Sequence, residues 1–391
     1  MKDSASINPV QAMRKFMQQP QFWRIGIIFA LASILFAFWI TRLPYVQDKL
    51  GISEGQIGLA LFFMPIGSIL SLFVSNWMIN RLGEGKTTVI AIFCHIGALL
   101  LPIIAPSYPA LCLALFTTGL TGGTLNVSVN ATVTSLEKIH KTEIMATCHG
   151  FFSLGGMVGG GLSSLMIGLE VDPIQQMLLT VIICWLLIVL VIGKPLLSIV
   201  SGEKYVSKGF SLPPGPVIGL ALIGLCTMLG EGVIMDWSTI YLKDVVKTTG
   251  YITGLGFAVY SFCMALGRFY GDSIIPKLGA LNIIRFGSIL GLAGVIGVLT
   301  ADTWLTIGGF ALLGIGYSCM VPVLFSRSAN VEGVKPAIGI SSVASAGYIG
   351  FLIGPVSIGL IAESYGLTAS FSLLLVLLLF SLFYAPRVIR S

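Results

Sequence analysis

The chain has 391 residues, 55% of them hydrophobic and only 10% charged, with 47 glycines and a mean hydropathy of +0.96. Average soluble chains are about 45–50% apolar. This composition cannot cover a surface in water, and the bilayer must be its solvent. The net charge is +6, but the basic residues are scattered between apolar segments. That disfavours a nucleic-acid partner and suits short loops on one face of a membrane.

A spanning helix needs about 20 apolar residues. Breaks at glycine, proline and charged clusters give twelve candidates: 22–44, 57–79, 87–105, 109–135, 144–168, 174–193, 216–241, 251–274, 283–300, 304–326, 337–361 and 368–385. The tightest junction, between the third and fourth, is Pro106, Ser107 and Tyr108. The polar start MKDSASINPVQAMRKF has no small-residue cleavage site ahead of a short apolar core, so the first run reads as an uncleaved helix. Twelve spans place both termini on one side, and 18 of the 22 Lys and Arg residues fall there. Arg42, Lys49, Lys243 and Lys247 fall on the other, which predicts cytoplasmic termini. The longest internal loop, 194–215, carries Lys194, Lys204, Lys208 and a PPGP end. It divides the chain into halves 1–193 and 216–391.

An offset of 196 residues supports that division. It sets Tyr45 and Asp48 on Tyr241 and Asp244, Gly58-Leu59 on Gly254-Leu255, and Leu82-Gly83 on Leu278-Gly279. This resembles the parallel repeat of the major facilitator superfamily, which implies an all-α membrane protein of twelve helices in two pseudo-symmetric halves. The loop NRLGEGK (Asn80 to Lys86) partly resembles that superfamily's short cytoplasmic loop, with Asn76 and Asn80 where Gly and Asp are usual. Arg81, Arg268 and Asp272 are therefore candidates for a latch between the halves; a positive-inside loop with a turn glycine is the plainer reading.

Acids are rare in the apolar runs, yet LGEGVIMDWS holds both Glu231 and Asp236. Charge at that depth belongs in a cavity rather than in lipid. Five residues rotate the two by about 140° on a helix, so one is expected to face a cavity and the other a neighbouring helix. A buried ion pair is the structural alternative to a coupling or binding role. Arg42 lies at the matching level of the first span and is a candidate partner for Asp236 at the outer mouth. Asn126 and Asn130 are i,i+4 on one face of the fourth span, where amides suit a hydroxylated solute or interhelical hydrogen bonds. His149 can titrate near neutrality and, with Glu137, forms a candidate gate on the side of the termini. Trp39 and Trp237 are candidates for stacking on a sugar ring or for interfacial anchors; Trp304 reads as an anchor. The glycines of CHGFFSLGGMVGGG read as close packing. His95 has no obvious partner.

The seven cysteines lie in apolar runs without a Cys-x-x-Cys pair, so neither disulfides nor a metal is expected, and no cofactor. TRLP (from Thr41), NVSVNA (from Asn126), HGFFSLGG (from His149) and EGVIMDWSTIYL (from Glu231) are similar to the rhizopine-permease-like branch, related to fucose-permease-like transporters. The resemblance implies a monomeric, proton-coupled symporter of a sugar or cyclitol in the bacterial inner membrane. Proton-coupled fucose-type permeases carry acids on spans one and four, where this chain has Arg42 and the two asparagines. Coupling would then fall to Glu231 or His149. Export of amphipathic drugs is the alternative transport reading. A membrane enzyme is disfavoured by the dispersed histidines, a pump by the absence of a nucleotide-binding loop, and a sensor by the lack of a soluble domain.

Overall fold

The computed structural model describes residues 9–192, 194–199 and 212–389. Twelve helices in it are long and apolar enough to cross a membrane. The first six are Pro20–Thr41 (α1), Glu54–Leu82 (α2), Glu84–Ile104 (α3), Tyr108–His140 (α4), Thr147–Gly168 (α5) and Pro173–Leu190 (α6). The second six are Gly215–Asp244 (α7), Tyr251–Gly271 (α8), Ile274–Leu299 (α9), Thr303–Ala329 (α10), Ile338–Tyr365 (α11) and Leu367–Ile389 (α12). No strand occurs among the described residues. Most of the expected central linker lies outside them.

Local chemistry sets the helix ends. Ser53 and Gln56 form a reciprocal capping box at the start of α2, satisfying two backbone donors that a helix start leaves unpaired. Asp172 and Asp302 cap α6 and α10, each accepting two backbone N–H groups. The turn at Pro106 and Ser107 separates α3 from α4 as expected.

The half-chain repeat is written into the backbone. Gly83, between α2 and α3, has φ 86° and ψ 162°. Gly279, at the matching place in the second half, has φ 75° and ψ 160° and interrupts the helical run Tyr251–Leu299. A side chain is strained in that region and glycine is not. Gly51 and Lys247, also 196 apart, both adopt left-handed φ, 61° and 60°.

Among the described residues, two seams join the halves most extensively. α5 packs along α8, with Gly150 against Phe269, Gly160 against Ala258 and Gly254 against Ser164. α2 meets α11 chiefly at the end remote from the termini, backbone on backbone. There a Cβ on Gly58 would lie 2.6 Å from the Pro355 carbonyl oxygen, and one on Gly359 2.6 Å from that of Glu54. Ser53 donates to Glu363 across the same seam at 3.0 Å, and Lys243 pairs with Asp48 beside it. The molecule is therefore shut on the side away from its termini. The glycines of α5 behave as packing residues, with Gly155 against Ala30 and Gly159 against Ile34 of α1.

Candidate functional site

Glu231 sits near the middle of α7 and is buried. Its Oε2 lies 3.8 Å from Nη2 of Arg268 on α8, and Arg268 is 39% exposed. Its Oε1 is buried with no hydrogen-bond partner among the described residues, as are the hydroxyls of Tyr260 on α8 and Tyr317 on α10. Both tyrosines are within electrostatic reach of Glu231. One carboxylate, one guanidinium and two phenols thus meet inside the second half. Buried polar groups in membrane spans are costly unless they serve a path or a partner.

This cluster borders the space between the halves. His149 of α5 is exposed there, edge-on to Phe29 at 5.1 Å and within electrostatic reach of Arg268. Asn126 is exposed, and its side chain lies near the Tyr348 hydroxyl of α11, across the halves. Asn130 donates to the Asn126 carbonyl and side-chain oxygens at 2.7 and 3.0 Å. The asparagines therefore act as one unit, with Asn130 orienting Asn126. These polar residues face the space between the halves, which the α2–α11 seam closes at the end remote from the termini.

Other expected site residues lie elsewhere. The Arg42–Asp236 pair does not form. Arg42 is buried, donates Nε–H to Gln176 at 2.8 Å, and also donates from Nη2 to Gln176 and to the Val171 carbonyl, the latter at 2.9 Å. The end of α5 and the start of α6 lie nearer to it than α7 does, so its fork closes on them. Gln176 and Thr41 also converge on the Ser163 hydroxyl, at 2.9 and 2.6 Å. This is a buried network tying α1, α5 and α6 together. Asp236 is half-buried and has no partner among the described residues. Trp39 and Trp237 are fully buried, so in this state neither stacks on a solute nor anchors at an interface, whereas Trp304 is exposed.

Glu137 does not meet His149. Its Oε1 accepts the N–H groups of Ile144 and Met145 at 2.7 and 2.8 Å, which makes it a cap for the helix leading into α5. The Arg81 guanidinium lies 5.7 Å over the ring of Trp77 on its own helix. Arg268 turns to Glu231 rather than to a latch, and the Asp272 side chain lies outside the described residues. His95 is satisfied by Thr121 at 3.2 Å.

Sequence reasoning missed Arg268 as the partner of Glu231, along with Tyr260, Tyr317 and Tyr348. Arg268 had a usable signal, since it lies inside an apolar span and not beyond its end. The tyrosines had none, because a membrane tyrosine is ordinarily interfacial.

Residues 25–326 match the family model described as Major Facilitator Superfamily. The chain belongs to the major facilitator superfamily. A relative from Yersinia pestis, described as an uncharacterized MFS-type transporter, is 30% identical over 372 residues, covering 94% of this chain and 95% of that protein. The membrane protein MosC of Rhizobium meliloti is 28% identical over 346 residues, covering 88% of this chain and 84% of its own. Among solved structures, a mutant of the nucleoside transporter NupG superposes with a TM-score of 0.75 at 13% identity, over 94% of this chain and 98% of that one. A bacterial homolog of the human lysosomal transporter Spinster, described as inward-facing and occupied, gives 0.66 at 14% identity, over 94% and 96%. At such identity these likenesses speak to the fold. This superfamily member is a multi-pass membrane transporter, not an enzyme, and small molecules are what it carries.

Proposed function

We propose that this transporter moves a small polar solute, a sugar, cyclitol or related compound, together with protons by alternating access. The proposal extends to a monomer in the bacterial inner membrane with both termini in the cytoplasm. The basic residues on the side of the termini support that orientation, in which the cleft between the halves opens to the cytoplasm.

One observation carries the reading. The buried Glu231, ion-paired to Arg268, shares its surroundings with the unpartnered hydroxyls of Tyr260 and Tyr317. Those atoms suit a hydroxyl-rich solute, and a buried carboxylate beside a partly exposed guanidinium can exchange a proton with the cleft. Asn126, oriented by Asn130 and near Tyr348, offers both donors and an acceptor from the other half. A solute gripped from both halves binds differently when they rock, which alternating access requires.

The test uses purified protein in vesicles loaded with a pH-sensitive dye. Sugars, cyclitols and amphipathic cations are added outside one at a time. The expected result is a proton flux with one solute class, lost in Glu231→Gln while protein yield and melting temperature are kept. Solute uptake without proton movement would overturn the coupling. A response only to amphipathic cations would replace the reading with export.

A further inference from the structure

The outer face of α3 and α6 carries a groove that the transport cleft does not explain. Val89, Ile90, Phe93 and Cys94 line one wall, and Ile188, Val189, Lys194 and Leu197 the other, of an open groove of about 360 Å³. Ile90, Phe93, Cys94, Val189 and Leu197 are exposed, so the groove opens away from the bundle toward lipid. Beside it, Ile188–Ile192 winds as a π-helix, a widened turn that often marks a functional site. At one end the Trp185 ring stacks on Phe93 at 4.8 Å, and its indole N–H donates to the Phe93 carbonyl at 2.9 Å.

The other end is cationic. Lys194 lines the groove there. Lys86 precedes Val89 and Ile90 by three and four residues, which puts it on the same face of α3 one turn toward the termini. The Gly85 N–H donates to the Ile199 carbonyl at 3.1 Å, holding the start of α3 to the turn after Lys194. Both lysines are exposed. The face from Lys86 to Cys94 runs about 12 Å at ~1.5 Å per residue, closed at its apolar end and charged at its interfacial end.

We infer that this groove binds an anionic phospholipid, with an acyl chain between α3 and α6 and the phosphate-bearing headgroup at Lys86 and Lys194. The charge selects an anionic headgroup, and the apolar walls accept a chain. Two helical turns of length are too short to seat a partner's spanning helix, which needs about 20 residues. The site is independent of the solute reading above.

Native mass spectrometry tests it, on protein released from micelles with equal phosphatidylglycerol and phosphatidylcholine. The wild type should retain phosphatidylglycerol several-fold more than phosphatidylcholine. In Lys86→Gln with Lys194→Gln that preference should fall to near unity. Cys94→Trp, which fills the groove, should lower retention of both lipids. Glycerol phosphate, the headgroup chemistry without chains, should not compete. Melting temperatures in phosphatidylcholine check that each variant is folded. Equal retention by the wild type, an undiminished preference in the lysine variant, or full competition by glycerol phosphate would overturn the site.

Discussion

Replacing Gly359 by Leu should reopen the end of the molecule remote from the termini. A Cβ there meets the Glu54 carbonyl oxygen at 2.6 Å and the Gly58 Cα at 2.9 Å, against an optimum of about 3.5–4.0 Å between carbon atoms. Both obstacles are backbone, so no side-chain rotation relieves them and α2 must part from α11. Overpacking of this kind costs about 1–3 kcal/mol. The cost falls only on the state with that seam closed, so it shifts the balance between states by about 5–150-fold. If the starting bias is about 10:1, the fraction open toward the termini falls from about 0.9 to between about 0.67 and 0.06. The assay is the rate at which a membrane-impermeant maleimide, applied on the side of the termini, modifies Asn126→Cys with Cys94 removed. Gly308→Leu is the control, because a Cβ at Gly308 meets nothing within 4 Å. An unchanged rate in Gly359→Leu, or an equal fall in the control, would refute the reasoning.

Other outcomes follow from the same contacts. Arg268→Ala leaves Glu231 buried without its partner; because Arg268 is 39% exposed, the loss should be about 1–3 kcal/mol, between the exposed and buried limits. Adding Glu231→Gln should recover part of it, read as melting temperature. Arg42→Ala removes charged hydrogen bonds to Gln176 and Val171 and should cost about 1.5–3 kcal/mol. Arg42→Lys should not restore it, since an ammonium lacks the planar fork. Glu137→Ala should lower the melting temperature by the worth of a helix cap, about 1–2 kcal/mol. It should leave the pH profile of transport unmoved, where a gate paired with His149 would shift it.

The twelve spans and the two halves were legible because both follow from patterns along the chain. Apolar runs need length and no partner, and the 196-residue offset reappears as matched glycine backbones at Gly83 and Gly279. Glu231 stood out for a similar reason, being an acid where charge is expensive. Partners were harder. Arg42 was matched to Asp236 by level alone, but depth says nothing of azimuth, and its guanidinium turned toward Gln176. Glu137 looked like a gate beside His149 because the two are close in sequence, yet an acid near two unpaired N–H groups caps them. The tyrosines around Glu231, Tyr260 and Tyr317, come from two different helices, α8 and α10, and only folding brings them together. Lys243 and Asp48 sat on the same predicted side, but nothing in the sequence showed that they close the seam.

The central claim is that Glu231 and Asn126 belong to one site for a polar solute. A thermal-shift panel on purified protein tests it most directly, with sugars, cyclitols, amino sugars, organic acids and cationic drugs at two pH values. A ligand at a hundredfold excess over its Kd stabilises by about 2.7 kcal/mol, well within reach of the method. Selective stabilisation by a sugar or cyclitol is the expected result, lost in both Glu231→Gln and Asn126→Ala while each variant melts near the wild-type temperature without ligand. Stabilisation by cationic drugs alone, or a sugar response that survives both substitutions, would contradict it.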